Sequence, residues 1–483
     1  MAIEPEKIDR KIEHILRTKN IPGAAIAVVS GGETVFSNGY GYRDLAAKLP
    51  VTPHTAYPIA STTKAITATL LGTLVDQGIL AWDEPVRSYL PRFQLSNLEL
   101  SLEVTLRDLL TMRTGLPRHD WLWSGSSMTR EHLVERLRFL ELSAGFRERF
   151  QYNNILVTTA GYVAEVVTGQ RWEDLVQVRI LNPLGMTRTV FERPSDGDTT
   201  EAYHESTSRK LVQTRRLSAQ VTGPSGGSIY STVLDMAKWT LFNLKRGQIG
   251  ESQLIKRETL AEIHSPQIVI GKDPVAPTPR AAYAMGWFVD TYNGRLRVSH
   301  SGHLYDVKSE VSLFPEDDIG FVSFVNLGAP VPARALNQYV FDLVKGFQPA
   351  ETLEKILERH EKRVEENQRR SAAVRRVGGT ALSHPLDEYA GTYEHAGYGK
   401  VEIQRDEQDL IFRFNELVFS LERWHYDAWV ARETDLFGIN EQHPFDRASR
   451  IMFESNEDGE IAALTIRLEP SVSPVRFVKQ LCG

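Results

Sequence analysis

The chain has 483 residues, of which 41% are hydrophobic, 24% charged and 9% aromatic, and 62 acidic against 56 basic residues give a formal net charge of −6. That length exceeds what one hydrophobic core usually organises, so two or more domains are expected, and the composition excludes a collagen-like, coiled-coil or disordered chain. The interspersed, slightly acidic charge offers no nucleic-acid surface, and the longest apolar stretches, such as residues 24–29, are far too short to span a bilayer.

The pattern opens with Ile8, Ile12, Ile15 and Leu16 at helical spacing, which predicts an amphipathic helix lying on something larger. Acidic residues within positions 1–10 stand where a secretory signal needs a basic start and an apolar run, so the expected location is the cytoplasm. Two β-rich runs, 24–29 and 34–40, flank Gly31-Gly32 and predict a hairpin. From Thr62 to Gly78 the residues Ile66, Leu70, Leu71, Leu74 and Val75 predict a strongly apolar helix with Ser61 at its cap.

Helical patterns recur at 105–112, 130–140, 155–167 and 172–180, and strand-like runs return at 284–292, 296–300, 310–314 and 320–326. Strands at both ends around a helical middle predict a mixed sheet whose first and last strands meet, with an all-helical lobe inserted. Between about 351 and 377 Glu, Lys and Arg dominate, which reads as a linker helix, and a boundary falls near Gly378-Gly379. Beyond it, short strands beginning near Gly391, Lys400, Leu410, Ala428, Arg450 and Ala462 predict a small antiparallel barrel or sandwich. The expected division is 1–348, a linker helix over 349–380, and a β domain over 381–483.

Ser61-Thr-Thr-Lys64 places a hydroxyl and an amine one turn apart on the same helix face. A serine hydroxyl is a weak nucleophile, and a lysine whose pKa is lowered by burial or a neighbouring cation can accept its proton. Tyr152-Asn153-Asn154 precedes the helix at 155–167. A tyrosine near that lysine can relay the proton and an amide can orient lysine or a substrate carbonyl; the plainer reading is a buried tyrosine capping a helix. His300-Ser-Gly302-His303 follows the strand 296–299, where the glycine would let backbone come close to a ligand and a backbone N–H could serve an oxyanion hole; the alternative is a turn with two histidines.

These three elements, in this order and rough spacing, resemble the serine β-lactamase-like, penicillin-binding-protein superfamily, in the branch of class C β-lactamases, esterases and D-aminopeptidases. The resemblance covers about residues 5–345 and includes the phrases 106–117, 182–186, Gly226-Gly227 and 231–239. It implies an α+β fold, an antiparallel sheet plus a helical lobe, as the catalytic domain. It implies Ser61 as nucleophile, Lys64 and Tyr152 sharing general-base and general-acid work in an order left open, and Asn154 as orienter. His300 and Gly302 would line the site, and the N–H groups of Ser61 and His303 would form the oxyanion hole. One departure is His300 where β-lactamases carry a lysine that helps hold the antibiotic carboxylate; members with histidine there resemble esterases, D-amino-acid peptidases and amidases. Met112-Arg113 stands where many relatives have a histidine. The tail resembles the lipocalin-like domains attached to some of these hydrolases, with residues 389–393 as the opening phrase, which implies a small all-β barrel.

The loop 118–124 carries Trp121 and Trp123, which either clamp an apolar acyl group or pack onto the helical lobe. Tyr305 and Asp306 contact a substrate amine or close a turn. The 13 histidines include no H-E-x-x-H or comparable spacing, and the sole cysteine, Cys482, excludes a cysteine metal cluster and an intrachain disulfide, so neither metal nor cofactor is expected. The function expected is a serine hydrolase acting through a Ser61 acyl-enzyme on a small-molecule ester or amide, as esterase, amidase or peptidase. An acyltransferase of secondary metabolism would use the same acyl-enzyme, and a non-catalytic scaffold would have no physical need of Ser61, Lys64 and Tyr152 together. No membrane or nucleic-acid partner is expected, and the sequence assigns no oligomeric state.

Overall fold

A computed structural model of the protein describes residues 4–206, 210–271, 282–328, 333–347, 376–431 and 450–480, with single helical positions at 358, 362 and 366. Most of the expected linker helix, and Cys482, lie outside the described residues, while 376–380 is coil and turn.

The opening helix α1 (Pro5–Thr18) buries Ile8, Ile12, Ile15 and Leu16, the four residues of its apolar stripe. The hairpin forms from β1 (Gly23–Ser30) and β2 (Glu33–Asp44), followed by the short β3 (Leu49–Pro50). After the helical middle come β4 (Ile268–Val269), β5 (Ala282–Tyr283), β6 (Phe288–Tyr292), β7 (Arg295–Leu304), β8 (Val307–Phe314) and β9 (Ile319–Val325). These make one nine-stranded sheet in the order β4-β5-β6-β7-β8-β9-β1-β2-β3, so the late strands close onto the first through β9 and β1. Every pairing is antiparallel, as the family resemblance implies and not the mixed sheet that the strand distribution suggested.

Both faces of the sheet are covered, which explains why β1 is apolar throughout. Ala24, Ile26 and Val28 face a core completed by α1 and the late helix Ala333–Lys345, whereas Ala25, Ala27 and Val29 face the helical lobe. On that second side lies α2 (Thr63–Asp76), buried from Thr63 to Leu74 and therefore apolar or threonine-rich all round. Beside it runs α3 (Asn154–Thr168), whose Asn153 cap accepts from Leu156 N–H and whose left-handed Gly169 ends it.

The tail forms a closed antiparallel barrel of eight strands from Gly391 to Lys479. Two of them, Leu417–His425 and Val475–Lys479, were not anticipated from the sequence pattern. Buried and exposed positions alternate along its strands, and aromatic rings including Tyr393, Phe412, Trp429, Phe453 and Phe477 fill it.

Candidate active site

The short strand Tyr57–Pro58 leads into a single 3₁₀ turn, Ala60–Thr62, before α2 begins at Thr63. Ser61 thus sits within a tight turn, not at a helix cap as its sequence position suggested. Ala60 holds a left-handed φ of 49°, unusual for a residue with a Cβ. Two glycines close on this elbow. A Cβ on Gly226, itself at φ 136°, would lie 2.5 Å from the Ala60 carbonyl carbon; one on Gly302 would lie 2.4 Å from the Ile59 oxygen. Ser309 donates to that same Ile59 oxygen at 2.6 Å.

Lys64 is fully buried one turn along. Its Nζ lies 3.0 Å from Ser61 Oγ, 2.7 Å from Asn154 Oδ1 and 2.6 Å from the Ser225 carbonyl oxygen. Burial first, and the charge of Arg118 second, hold its ammonium well below the usual lysine range, while Asp120 opposes them. The Tyr152 ring stands over this group, with Lys64 Nζ 4.8 Å and the Arg118 guanidinium carbon 4.9 Å from its centroid.

The third motif is strand, not a turn after one. β7 continues through His300, Gly302 and His303 to Leu304 because each pairs across to β8, from His300 with Val311 to Leu304 with Val307. His300 is buried; its Nδ1 is 2.7 Å from the Ser301 carbonyl oxygen and its Nε2 is 3.1 Å from the Tyr283 hydroxyl. A carbonyl only accepts, so Nδ1 carries a proton there and a neutral ring would accept from Tyr283 through Nε2.

Ser61, Tyr152, Asn154, Trp123, His300, Gly302 and His303 line one cleft of about 330 Å³. Trp121 and Tyr305 are not on its wall. Trp121 turns the other way, its ring 6.2 Å from Phe414 and 6.1 Å from Phe419 of the barrel, so it neither clamps a substrate nor packs only on the helical lobe. Tyr305 donates to the Leu217 carbonyl, and with Asp306 it closes the β7–β8 turn at positive φ. Arg118, Phe288, Lys308 and Arg334 also line the cleft, unassigned from the sequence. So was Asp120, the acceptor for Arg118, Trp123 and Asn154; its only sequence signal was membership of the aromatic loop. Among the described residues no group of His, Cys, Asp and Glu side chains is arranged to hold a metal ion, and no helix is long and apolar enough to cross a membrane.

A family model described as Beta-lactamase matches residues 8–345, and one described as a domain of unknown function, DUF3471, matches residues 375–479. Unguisins hydrolase ungD' of Aspergillus campestris is 29% identical over 427 residues, covering 82% of this chain and 77% of its own. Unguisins hydrolase ungD of Aspergillus violaceofuscus is also 29% identical, over 447 residues, with 83% and 76% covered. Protein flp of Staphylococcus aureus strain N315 is 29% identical over 67% of this chain and 63% of its own. Among solved structures, the octameric penicillin-binding protein homologue from Pyrococcus abyssi has a TM-score of 0.64 at 23% identity, covering 99% of this chain and 100% of the other. The class C beta lactamase from Rhodobacter sphaeroides has a TM-score of 0.57 at 21% identity, covering 70% and 99%. At these identities the two structures speak to the fold alone.

Proposed function

Because the chain belongs to the Beta-lactamase family, whose members are serine hydrolases working through an acyl-enzyme, we propose that it hydrolyses an ester or amide through an acyl group carried on Ser61. The observation that carries this reading is the surrounding of Lys64. A neutral amine has two protons and one lone pair. The Asn154 and Ser225 oxygens, at 2.7 and 2.6 Å, can only accept, so they take both protons and leave the lone pair for the Ser61 hydroxyl at 3.0 Å. Burial favours that neutral form.

In this mechanism Ser61 Oγ attacks the substrate carbonyl carbon as its proton passes to Lys64 Nζ. The negative oxygen of the tetrahedral intermediate is received by the backbone N–H groups of Ser61 and His303. The C–O or C–N bond then breaks, and the proton leaves Lys64 for the departing alcohol or amine, with Tyr152 as the relay. Water then attacks the Ser61 ester as one of its protons passes to Lys64, and the bond from the acyl carbon to Ser61 Oγ breaks as Lys64 returns that proton to Oγ, which frees the acid and restores the serine hydroxyl. Asn154 keeps the amine oriented. His300, with both ring nitrogens engaged, acts as cleft wall and not as a proton carrier. Water as the acceptor is supported by the two fungal relatives, both described as hydrolases.

Intact-mass spectrometry after exposure to a fluorophosphonate and to short-chain p-nitrophenyl esters, on parent and Ser61→Ala, tests the reading. An adduct on Ser61 in the parent alone, with ester turnover, supports it. Equal turnover by the folded Ser61→Ala protein would sink it, and product that forms only with an added alcohol or amine would favour acyl transfer.

A further inference from the structure

The segment carrying Asp120 lies between the catalytic cleft and the C-terminal barrel, and its two sides face different partners. On the cleft side, Asp120 Oδ1 accepts from Asn154 Nδ2 at 3.1 Å and from Trp123 Nε1 at 2.8 Å, and Oδ2 accepts from Arg118 Nε at 2.5 Å. A carboxylate has no proton to give, so it selects one of the two orientations open to the Asn154 amide. The NH₂ faces Asp120 and the oxygen faces Lys64. With the amide reversed, Lys64 would lose one of the two acceptors that leave its lone pair for Ser61.

On the barrel side, both neighbours of Asp120 are held. His119 adopts a left-handed φ of 47°, a conformation that persists only where the surroundings impose it. Its backbone N–H donates to Glu469 Oε2 at 3.1 Å, and its Nδ1 is 2.7 Å from the Tyr398 hydroxyl, both on the barrel. Trp121 packs on Phe414 and Phe419. A little further on, Glu416 N–H donates to the Gly125 carbonyl at 3.1 Å, and Asn415 Nδ2 donates to that of Ser124 at 3.0 Å.

We propose that Asp120 is a positioning residue for the Ser61–Lys64 pair, acting through the Asn154 amide, and that the C-terminal barrel holds it in place through Tyr398, Glu469 and the Trp121 pocket. The barrel thus supports the catalytic pair although none of its described residues lines the cleft. The inference rests on the acyl-enzyme reading above. Arg118 and Asp120 from this segment and Tyr152, two residues before α3, face Lys64; His300 of β7 lies next to the Tyr152 ring, and Lys308 and Arg334 carry further charge on the cleft wall.

The test is made on the full chain, with the pH dependence of ester kcat/KM and of fluorophosphonate labelling as readouts and the melting temperature as a control. Asp120→Asn lowers kcat/KM by about tenfold to a hundredfold, the range expected for an ångström-scale misplacement. It also moves the acid limb of the profile to lower pH, because a negative charge that favours the Lys64 ammonium is gone and Arg118 loses its partner. Tyr398→Phe, which removes one hydroxyl on the barrel, moves the limb in the same direction with a smaller loss and little change in melting temperature. The double variant is no worse than Asp120→Asn alone, because both act along one route. Losses that multiply in the double variant, or profiles that keep the parent's limb, would overturn the proposal. A parent that is never labelled on Ser61 would instead overturn the acyl-enzyme reading on which it rests.

Discussion

Gly302→Ala tests how tightly the third motif holds Ser61, the proposed nucleophile. The added Cβ would lie 2.3 Å from Ser309 Oγ, 2.4 Å from the Ile59 carbonyl oxygen and 2.9 Å from Ala60 Cβ. The first two atoms are themselves hydrogen-bonded to each other at 2.6 Å, so neither can turn aside without breaking that bond. Ordinary contact begins near 3.4 Å, so strand and elbow must part by about 1 Å. Such overpacking costs about 1–3 kcal/mol of stability, and an ångström of displacement at the reacting atom costs on the order of a hundredfold in rate. The rate of fluorophosphonate labelling and the ester kcat/KM should fall by about that factor, with a lower melting temperature and a folded circular-dichroism spectrum. Labelling at the parent rate by a variant of unchanged melting temperature would refute the reasoning, since β7 could not then be pressed against residues 59–60.

Three other outcomes are expected. In the proposed mechanism the neutral Lys64 amine is the active form, so acylation should be fully present above its lowered pKa and lost as pH falls through it; an acid limb near the ordinary lysine value would contradict the burial argument. His264, half-buried beside Trp287 with Nε2 3.1 Å from Asn243 Oδ1, is held down to about 4 by desolvation of its ring. The unfolded chain therefore binds a proton first as pH drops from about 6.5, and stability is lost between there and about 4, by up to ~3 kcal/mol; His264→Gln should flatten this part of the melting curve against pH. Hydrolysis of the cephalosporin nitrocefin should be weak compared with short-chain esters, because His300 stands where β-lactamases carry the lysine that helps hold the antibiotic carboxylate; efficient turnover would remove that residue from the specificity argument.

The parts of the site that are local in the chain are legible in the residues alone. Ser61 and Lys64 share a face because three residues of a helical turn put them there, and Asn154 opens its helix because Asn153 caps it. The β-rich runs 24–29 and 34–40 on either side of Gly31-Gly32, and the helical middle between strands, point to the α+β architecture in the same way. The motif at 300–303 reads poorly as strand because histidine, serine and glycine have little preference for one. Its partner β8 makes it strand, through pairings that a single sequence does not display.

What the tertiary structure decided is the fate of side chains whose partners are remote. Trp121 and Trp123 lie two residues apart, yet the 3₁₀ turn Asp120–Leu122 sends one to the barrel and the other to the cleft. Asp120 gains its meaning from Asn154 on one side and from barrel residues beyond 390 that hold its neighbours on the other. The amino-acid sequence by itself determined which groups can carry the chemistry, because spacing along a helix and the chemistry of each side chain are local properties. Only the fold determined which of them meet, because burial and close backbone approach are set by segments hundreds of residues apart in the chain.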